Sequence, residues 1–488
     1  MLSMRALLAA PLCAAAFVVA GCGSSQAATG SDSAASLAPK DAGAFVVIDT
    51  DQSSTQWKNA QALLAKIPGG EKSLDGVLSE IGGAKGLDFK TDVAPAFGKQ
   101  LVVVVPAGAN DPVLLVKPDD SKKLDALLAK NTKPHVTGDI DGWTAVAMTQ
   151  KELDAYKAAL AKGTLSGDDN FAKATDALPA DALMRGYANG SGLTKALGTA
   201  YGVKSLISWV GSGGLAGVGT SASSVGRAAD QIGTIGFAIS ATETAFRIEG
   251  SVAAESGAKV ASYTPTLLAK VPADALVAVS FDGAGQGQQA IEQALRQGGS
   301  QLATIEKQLG IKLDDLVAAL DGEGVLYVRA GAPIPEITLL VKPKDAARAR
   351  ATFDAVTAKL GGAGTGSLLP GFSLTVGTAG GGVVVVSTSE NVASELDSGP
   401  KLVATARFKD AASEIGFDGK TSGLAYVDVH ALGPLLKTAL VALIGGANVQ
   451  VQSGLASGLE GLSAFDTAIF GATADGSRTR LAAVANLS

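Results

Sequence analysis

Only two imidazoles occur in the 488 residues, His135 and His430, and each sets a narrow chemical possibility. His430 follows Asp428 in the run Tyr426-Val-Asp-Val-His430, where a strand's two-residue period would put both side chains on one face. An Asp–His pair needs a nucleophile, and no G-x-S-x-G elbow supplies one. Four carboxylate pairs, Asp49/Asp51, Asp119/Asp120, Asp139/Asp141 and Asp168/Asp169, have the spacing of hard-cation ligands. None sits in the D-x-[DN]-x-[DN]-G loop with a distal Glu that calcium coordination demands. Asp139-Ile-Asp141-Gly142 reads better as a hairpin turn ahead of Trp143. The stretch Glu414–Thr421 ends like a phosphate loop but has a carboxylate where the first glycine is needed. Gly285-Gln-Gly287-Gln-Gln-Ala290 has dinucleotide-turn spacing, yet no acidic strand end follows about 20 residues on. These residues point to no catalytic or metal chemistry and call for no cofactor.

A further candidate lies at the start of the chain. Arg5 precedes an apolar run from Ala6 to Ala20, interrupted only by Pro11. Fifteen residues are too few to span a bilayer, which takes about 20, but suit a signal-peptide core. The run ends in Val19-Ala20-Gly21-Cys22, similar to the bacterial lipobox. That resemblance implies cleavage before Cys22 and acylation of its thiol, so residues 1–21 are expected to be a signal peptide. Residues 22–36 carry no large apolar side chain and are expected to form a tether, a coil spanning about 20 Å. More than one acyl chain makes such an anchor stable, at about 0.8 kcal/mol per buried CH₂.

The elements that must position any site come next. Hydrophobic residues make up 47% and charged residues 18%, enough apolar material for true cores. Removing residues 1–21 leaves 39 basic against 46 acidic residues, a net charge of −7. That sign argues against nucleic acid as a partner and against electrostatic docking onto anionic lipid. Cys22 is then the only cysteine, so the body has no internal disulfide and relies on packing. No later segment reaches 18 uninterrupted apolar residues, and no transmembrane helix is expected.

The chain repeats itself. Leu114-Leu115-Val116-Lys117-Pro118 recurs as Leu339-Leu340-Val341-Lys342-Pro343, preceded by a β-rich run and followed by a helical one in both places. WTAVAMT (143–149) and GVVVVSTS (382–389) each lead into a helix, and a hairpin is expected at each of 234–253 and 467–485. Pro39-Lys40-Asp41-Ala42, Pro179-Ala180-Asp181-Ala182 and Pro272-Ala273-Asp274-Ala275 each launch a strand by turn chemistry. The expectation is a tandem duplication, 37–260 and 261–488. The fold class is α+β, each half a mostly antiparallel or mixed sheet packed with helices. Continuous apolar runs such as Leu101–Val105 and Val383–Val386 predict strands covered on both faces.

The lipobox, the Ser/Ala/Gly tether, Leu37-Ala38-Pro39-Lys40-Asp41-Ala42 before FVVIDTD, and the helix with Gln56-Trp57-Lys58 and Ala60 resemble a family of bacterial lipoproteins. It is the family defined by domain of unknown function 3352. The resemblance spans nearly the whole mature chain and implies no activity.

Two segments remain, 192–233 and 432–462, each an apolar helix passing into a Gly/Ala/Ser-rich stretch. They read as helices packed in the core. As a functional alternative, Leu206, Ile207, Trp209, Leu435, Leu436, Leu440, Leu443 and Ile444 would line an apolar groove between the halves. The sequence therefore favours an extracytoplasmic, lipid-anchored, non-enzymatic binding or scaffolding module of the cell envelope. Its expected partners are the membrane, through acyl chains on Cys22, and an envelope protein or apolar ligand. No oligomeric state is specified. Alternatives are a carrier of an apolar ligand or lipid, and a hydrolase with its site where the halves meet.

Overall fold

The computed structural model describes residues 31–68, 89–109, 111–130, 134–190, 232–254, 261–284, 312–331, 335–360, 374–435 and 461–488. The chain divides into two compact units, Met1–Lys259 with Asp475–Ser488, and Val260–Ala474. Both are α+β, and all strand pairs described below are antiparallel.

The described part of the first unit starts with a short helix, α1 (Ser31–Ala34), and a 3₁₀ turn, Ala35–Leu37. Strand β1 (Ala44–Asp49) leads to α2 (Thr55–Lys66), and α3 (Ala94–Phe97) leads to β2 (Gln100–Val105) and β3 (Val113–Val116). Helix α4 (Ser121–Ala129), the hairpin β4 (Val136–Ile140) and β5 (Trp143–Ala147), and α5 (Gln150–Leu160) follow. Helix α6 (Asp169–Thr175) precedes β6 (Met184–Asn189), and β7 (Ile232–Ala241) and β8 (Ala245–Ala254) pair as a hairpin. The strand order is β8-β7-β6-β1-β2-β3-β5-β4.

This sheet is covered on both faces, as the run Leu101–Val105 predicts. Leu101, Leu114, Val116 and Ile48 pack with Trp57 of α2, Phe97 of α3 and Leu124 and Leu127 of α4. Val102, Val104, Val113, Leu115 and Val47 pack with Leu153 and Tyr156 of α5, Phe171 of α6 and Leu37. Neighbouring residues of one strand thus serve opposite cores, which is why the strands read as continuous apolar sequence. Asp141 (φ +49) and Gly142 (φ +77) form the β4–β5 turn, the left-handed pair that a two-residue hairpin needs.

The second unit runs through β9 (Ala275–Asp282), α7 (Leu313–Ala319), β10 (Gly322–Arg329), β11 (Glu336–Pro343) and α8 (Ala346–Leu360). The hairpin β12 (Thr375–Ala379) and β13 (Val383–Ser387), α9 (Val392–Glu395), α10 (Ala406–Glu414), β14 (Gly423–Asp428) and β15 (Phe465–Asp475) complete it. The strand order is β15-β14-β9-β10-β11-β13-β12. Position by position, it repeats the order β7-β6-β1-β2-β3-β5-β4 of the first unit.

Local contacts repeat with it. Lys40 N donates to Gly163 O (2.9 Å) and Leu165 N to Ala38 O (2.9 Å), while Ala273 N donates to Pro400 O (3.0 Å) and Leu402 N to Val271 O (2.9 Å). The Pro-x-Asp turns close alike, Ala42 N to Pro39 O (2.9 Å) and Ala275 N to Pro272 O (3.1 Å). Phe171 meets Tyr187 edge-on at 5.4 Å, and Phe408 meets Tyr426 edge-on at 5.3 Å. Both phenylalanines stand three residues after a helix-capping side chain, Asp168 and Thr405.

Two sequence boundaries need correction. The expected tether ran to residue 36, but Ala34, Ala35 and Leu37 are buried, so the folded body begins by Ser31. Alanines lack the bulk that marks a core in sequence, yet they fill close contacts well. The second half was expected to keep everything after 261. Instead, the final strand β16 (Arg478–Leu487) belongs to the first unit, pairing along β8 from Arg478 opposite Ala253 to Asn486 opposite Ala245. Among the described residues no helix is long and apolar enough to cross a membrane.

Candidate functional site

The most chemically distinctive group of the first unit forms where β1 ends and α2 begins. Asp49 is the last residue of β1, and a five-residue loop turns the chain into the helix. Ser54 caps α2 by accepting Trp57 N at 3.2 Å, and its hydroxyl donates to Asp49 Oδ2 at 2.6 Å. Asp51 N donates to Asp49 Oδ1 at 2.8 Å, and Trp57 Nε1 donates to the Asp49 carbonyl at 2.8 Å. Gln56 then reaches in two directions. Its Oε1 accepts Ala241 N at 2.7 Å from β7, and its Nε2 donates to Asp181 Oδ2 at 3.4 Å. Asn59 Nδ2 adds a bond to Ala241 O at 3.0 Å.

Burial pushes the Asp49 carboxyl up to about 6, with the bonds from Ser54 and Asp51 opposing and the charges of Asp51 and Asp181 reinforcing. Asp51 moves the other way, held below its usual range first by Ser53 and further by Lys99, 3.6 Å away. A carboxyl poised near 6 has the acidity of a general acid or base working close to neutrality. Here each of its oxygens accepts an internal donor, so the group splints the β1–α2 turn. Asp282 at the end of β9 repeats part of this arrangement by accepting Ala284 N at 3.0 Å.

Two arginines organise the charges of the second unit. Arg329 binds Glu336 through two bonds, 3.0 and 2.6 Å, across the β10–β11 pair, with Asp274 at 3.6 Å and Glu395 at 3.7 Å. Arg407 of α10 joins Asp428 at the end of β14 (2.9 Å) to Asp466 on β15 (3.1 Å). The other oxygen of Asp428 accepts Ala431 N at 2.9 Å and caps a helix that occupies 429–435. His430 is therefore on an exposed helical turn, not on the strand expected to align it with Asp428, and the carboxylate is committed to Arg407 and the helix cap.

The remaining acidic pairs also act locally. Asp120 caps α4 by accepting Lys122 N and Lys123 N, and Asp168 caps α6 by accepting Asn170 N and Phe171 N. Among the described residues no group of three or more His, Cys, Asp or Glu is arranged to hold a metal ion. Of the expected apolar-groove residues only Leu435 is described, partly buried at the end of the 429–435 helix. Leu206, Ile207, Trp209, Leu436, Leu440, Leu443 and Ile444 lie outside the described residues, as do Cys22 and the Gly285–Ala290 turn. Sequence spacing pairs Asp49 with Asp51 and gives Asp181, 132 residues on from Asp49, only a turn role. Its signal was the Pro179-x-Asp181 turn, which delivers the carboxylate to Gln56.

Compared with family models, curated proteins and solved structures, the chain finds no match.

Proposed function

We propose that this chain is a membrane-anchored extracytoplasmic lipoprotein whose body serves as a non-enzymatic binding or scaffolding module of the cell envelope. The observation that carries the reading is Val19-Ala20-Gly21-Cys22 at the end of a fifteen-residue apolar run behind Arg5. The body is a tandem duplication. The repeated Leu-Leu-Val-Lys-Pro, the shared strand order and the paired Phe–Tyr contacts support that descent. We assign the chain to the lipoprotein family that its lipobox, tether and Leu37–Asp51 stretch resemble.

The polar chemistry favours architecture over catalysis. Asp49 splints a turn, Asp120, Asp168 and Asp428 cap helices, and Arg329 and Arg407 tie strand ends. Such use of charge gives a rigid display surface.

Cell fractionation with in-cell crosslinking tests this. Wild-type chain should partition with membranes and crosslink to an envelope component, and Cys22→Ala should leave the membrane fraction. Wild-type chain found free of membranes would overturn the anchor. A membrane-bound chain that crosslinks to nothing, but turns over an ester or amide substrate, would overturn the non-enzymatic role.

A further inference from the structure

We propose that the surface formed by the turn Pro39–Ala42 and the loop 161–168 is the face the body presents to the lipid headgroups. The inference rests on acylation of Cys22, and it follows from chain length and from where the fold takes hold. The anchoring cysteine and Ser31 are nine chain steps apart, with residues 23–30 between them. At about 3.3–3.6 Å per residue their fully extended reach is about 30 Å. A flexible coil of that length spans about 15–18 Å on average.

The segment after them cannot lengthen this leash cheaply. Ala34, Ala35, Leu37 and Ala38 are each at most 3% exposed. Tyr156 donates to Leu37 O at 2.5 Å from the buried side of α5. Lys40 N to Gly163 O and Leu165 N to Ala38 O, both 2.9 Å, stitch the lead-in to the 161–168 loop. Pulling Ser31–Leu37 free would open the core that packs Leu37 against Leu153, Tyr156 and Leu165. The leash therefore ends at a fixed point beside this loop.

The chemistry of the face suits shallow contact with headgroups. Lys40 and Lys162 are exposed on it and offer ammonium groups to lipid phosphate, while Asp41 and Asp169 are exposed beside them. The mixed charge gives little attraction of its own, and Leu165, the large apolar side chain of the loop, is buried. The acyl chains hold the protein, and the face rests at the headgroup level without inserting.

Full-length acylated protein carrying Lys162→Cys, labelled with a fluorophore and reconstituted into phosphatidylcholine–phosphatidylglycerol vesicles with a headgroup-attached quencher, reads this directly. Mass spectrometry of the same sample first establishes acylation. The expected result is strong quenching at position 162, most of it lost when a long Gly/Ser insertion follows Gly30. Acylated, vesicle-bound protein that shows no quenching, or quenching indifferent to the insertion, overturns the assignment of this face. An unacylated chain that does not bind vesicles overturns the anchor, and the face with it.

Discussion

Gly98 sits where the chain leaves α3 for β2, with φ +71, and a Cβ there would stand 1.9 Å from the carbonyl oxygen of Lys117. Gly322, at the start of β10, is held the same way against the carbonyl of Lys342, at 2.2 Å. The lysines are those of the repeated Leu-Leu-Val-Lys-Pro, so a glycine facing each motif explains part of its backbone course. Gly98→Ala is expected to cost at least about 2 kcal/mol, combining overlap and a left-handed backbone. Gly142→Ala, with φ +77 and open space around it, should cost only about 1 kcal/mol. Urea midpoints of the two variants check the contrast. Asp49 makes a pH prediction. Its folded value near 6 exceeds the ordinary 3.8, so the folded state binds its proton more tightly. The penalty for the buried charge is therefore fully present above pH 6 and is relieved as pH falls toward 4. The Asp49 contribution should raise stability by on the order of 2 kcal/mol between pH 7 and pH 4. Asp49→Asn should remove that gain, seen as a flatter pH dependence of the denaturation midpoint relative to wild type.

Helix caps test the likeness of the two units at the level of elements. Asp168 accepts Phe171 N at 2.9 Å, and Thr405 accepts Phe408 N at 3.3 Å. Asp168→Ala and Thr405→Ala should each cost about 1 kcal/mol. Each should also loosen the edge-on Phe–Tyr contact, readable as a shift of the Tyr187 or Tyr426 ring resonances. Much at this scale was legible in sequence. Asp141-Gly142 announced its hairpin, the Pro-x-Asp turns announced strand starts, and the double-faced burial of β2 followed from five consecutive apolar residues. The Phe171–Tyr187 and Phe408–Tyr426 pairs were not legible, because what the two places share is a contact between a helix and a strand. The letters around them have diverged, FAKATDAL against FKDAASEI. The lead-in helix is not legible in sequence because Ser and Ala give no apolar stripe, and the site around Asp49 is only partly legible because Asp181, which meets it through Gln56 and through its charge, lies 132 residues on in the chain.

Across the whole molecule, the same order of elements appears in both units, while the chain's last strand is spent on the first. The two Leu-Leu-Val-Lys-Pro copies lie one in each unit, but the repeats could not assign β16, since its pairing with β8 depends on hydrogen bonds that any alternating strand can make. The charge distribution suits the proposed lipid anchor. The acidic excess gives anionic lipid no grip, so membrane attachment would have to come from acyl chains on Cys22, and the hydrogen-bonded lead-in would set where the body hangs from them. Everything about where this protein works therefore turns on one sulfur. Intact-mass and peptide mass spectrometry of the protein purified from its own membranes should find a mature N-terminus at Cys22 bearing diacylglycerol. A chain retaining residues 1–21, or beginning at Cys22 with a free thiol, would contradict the account.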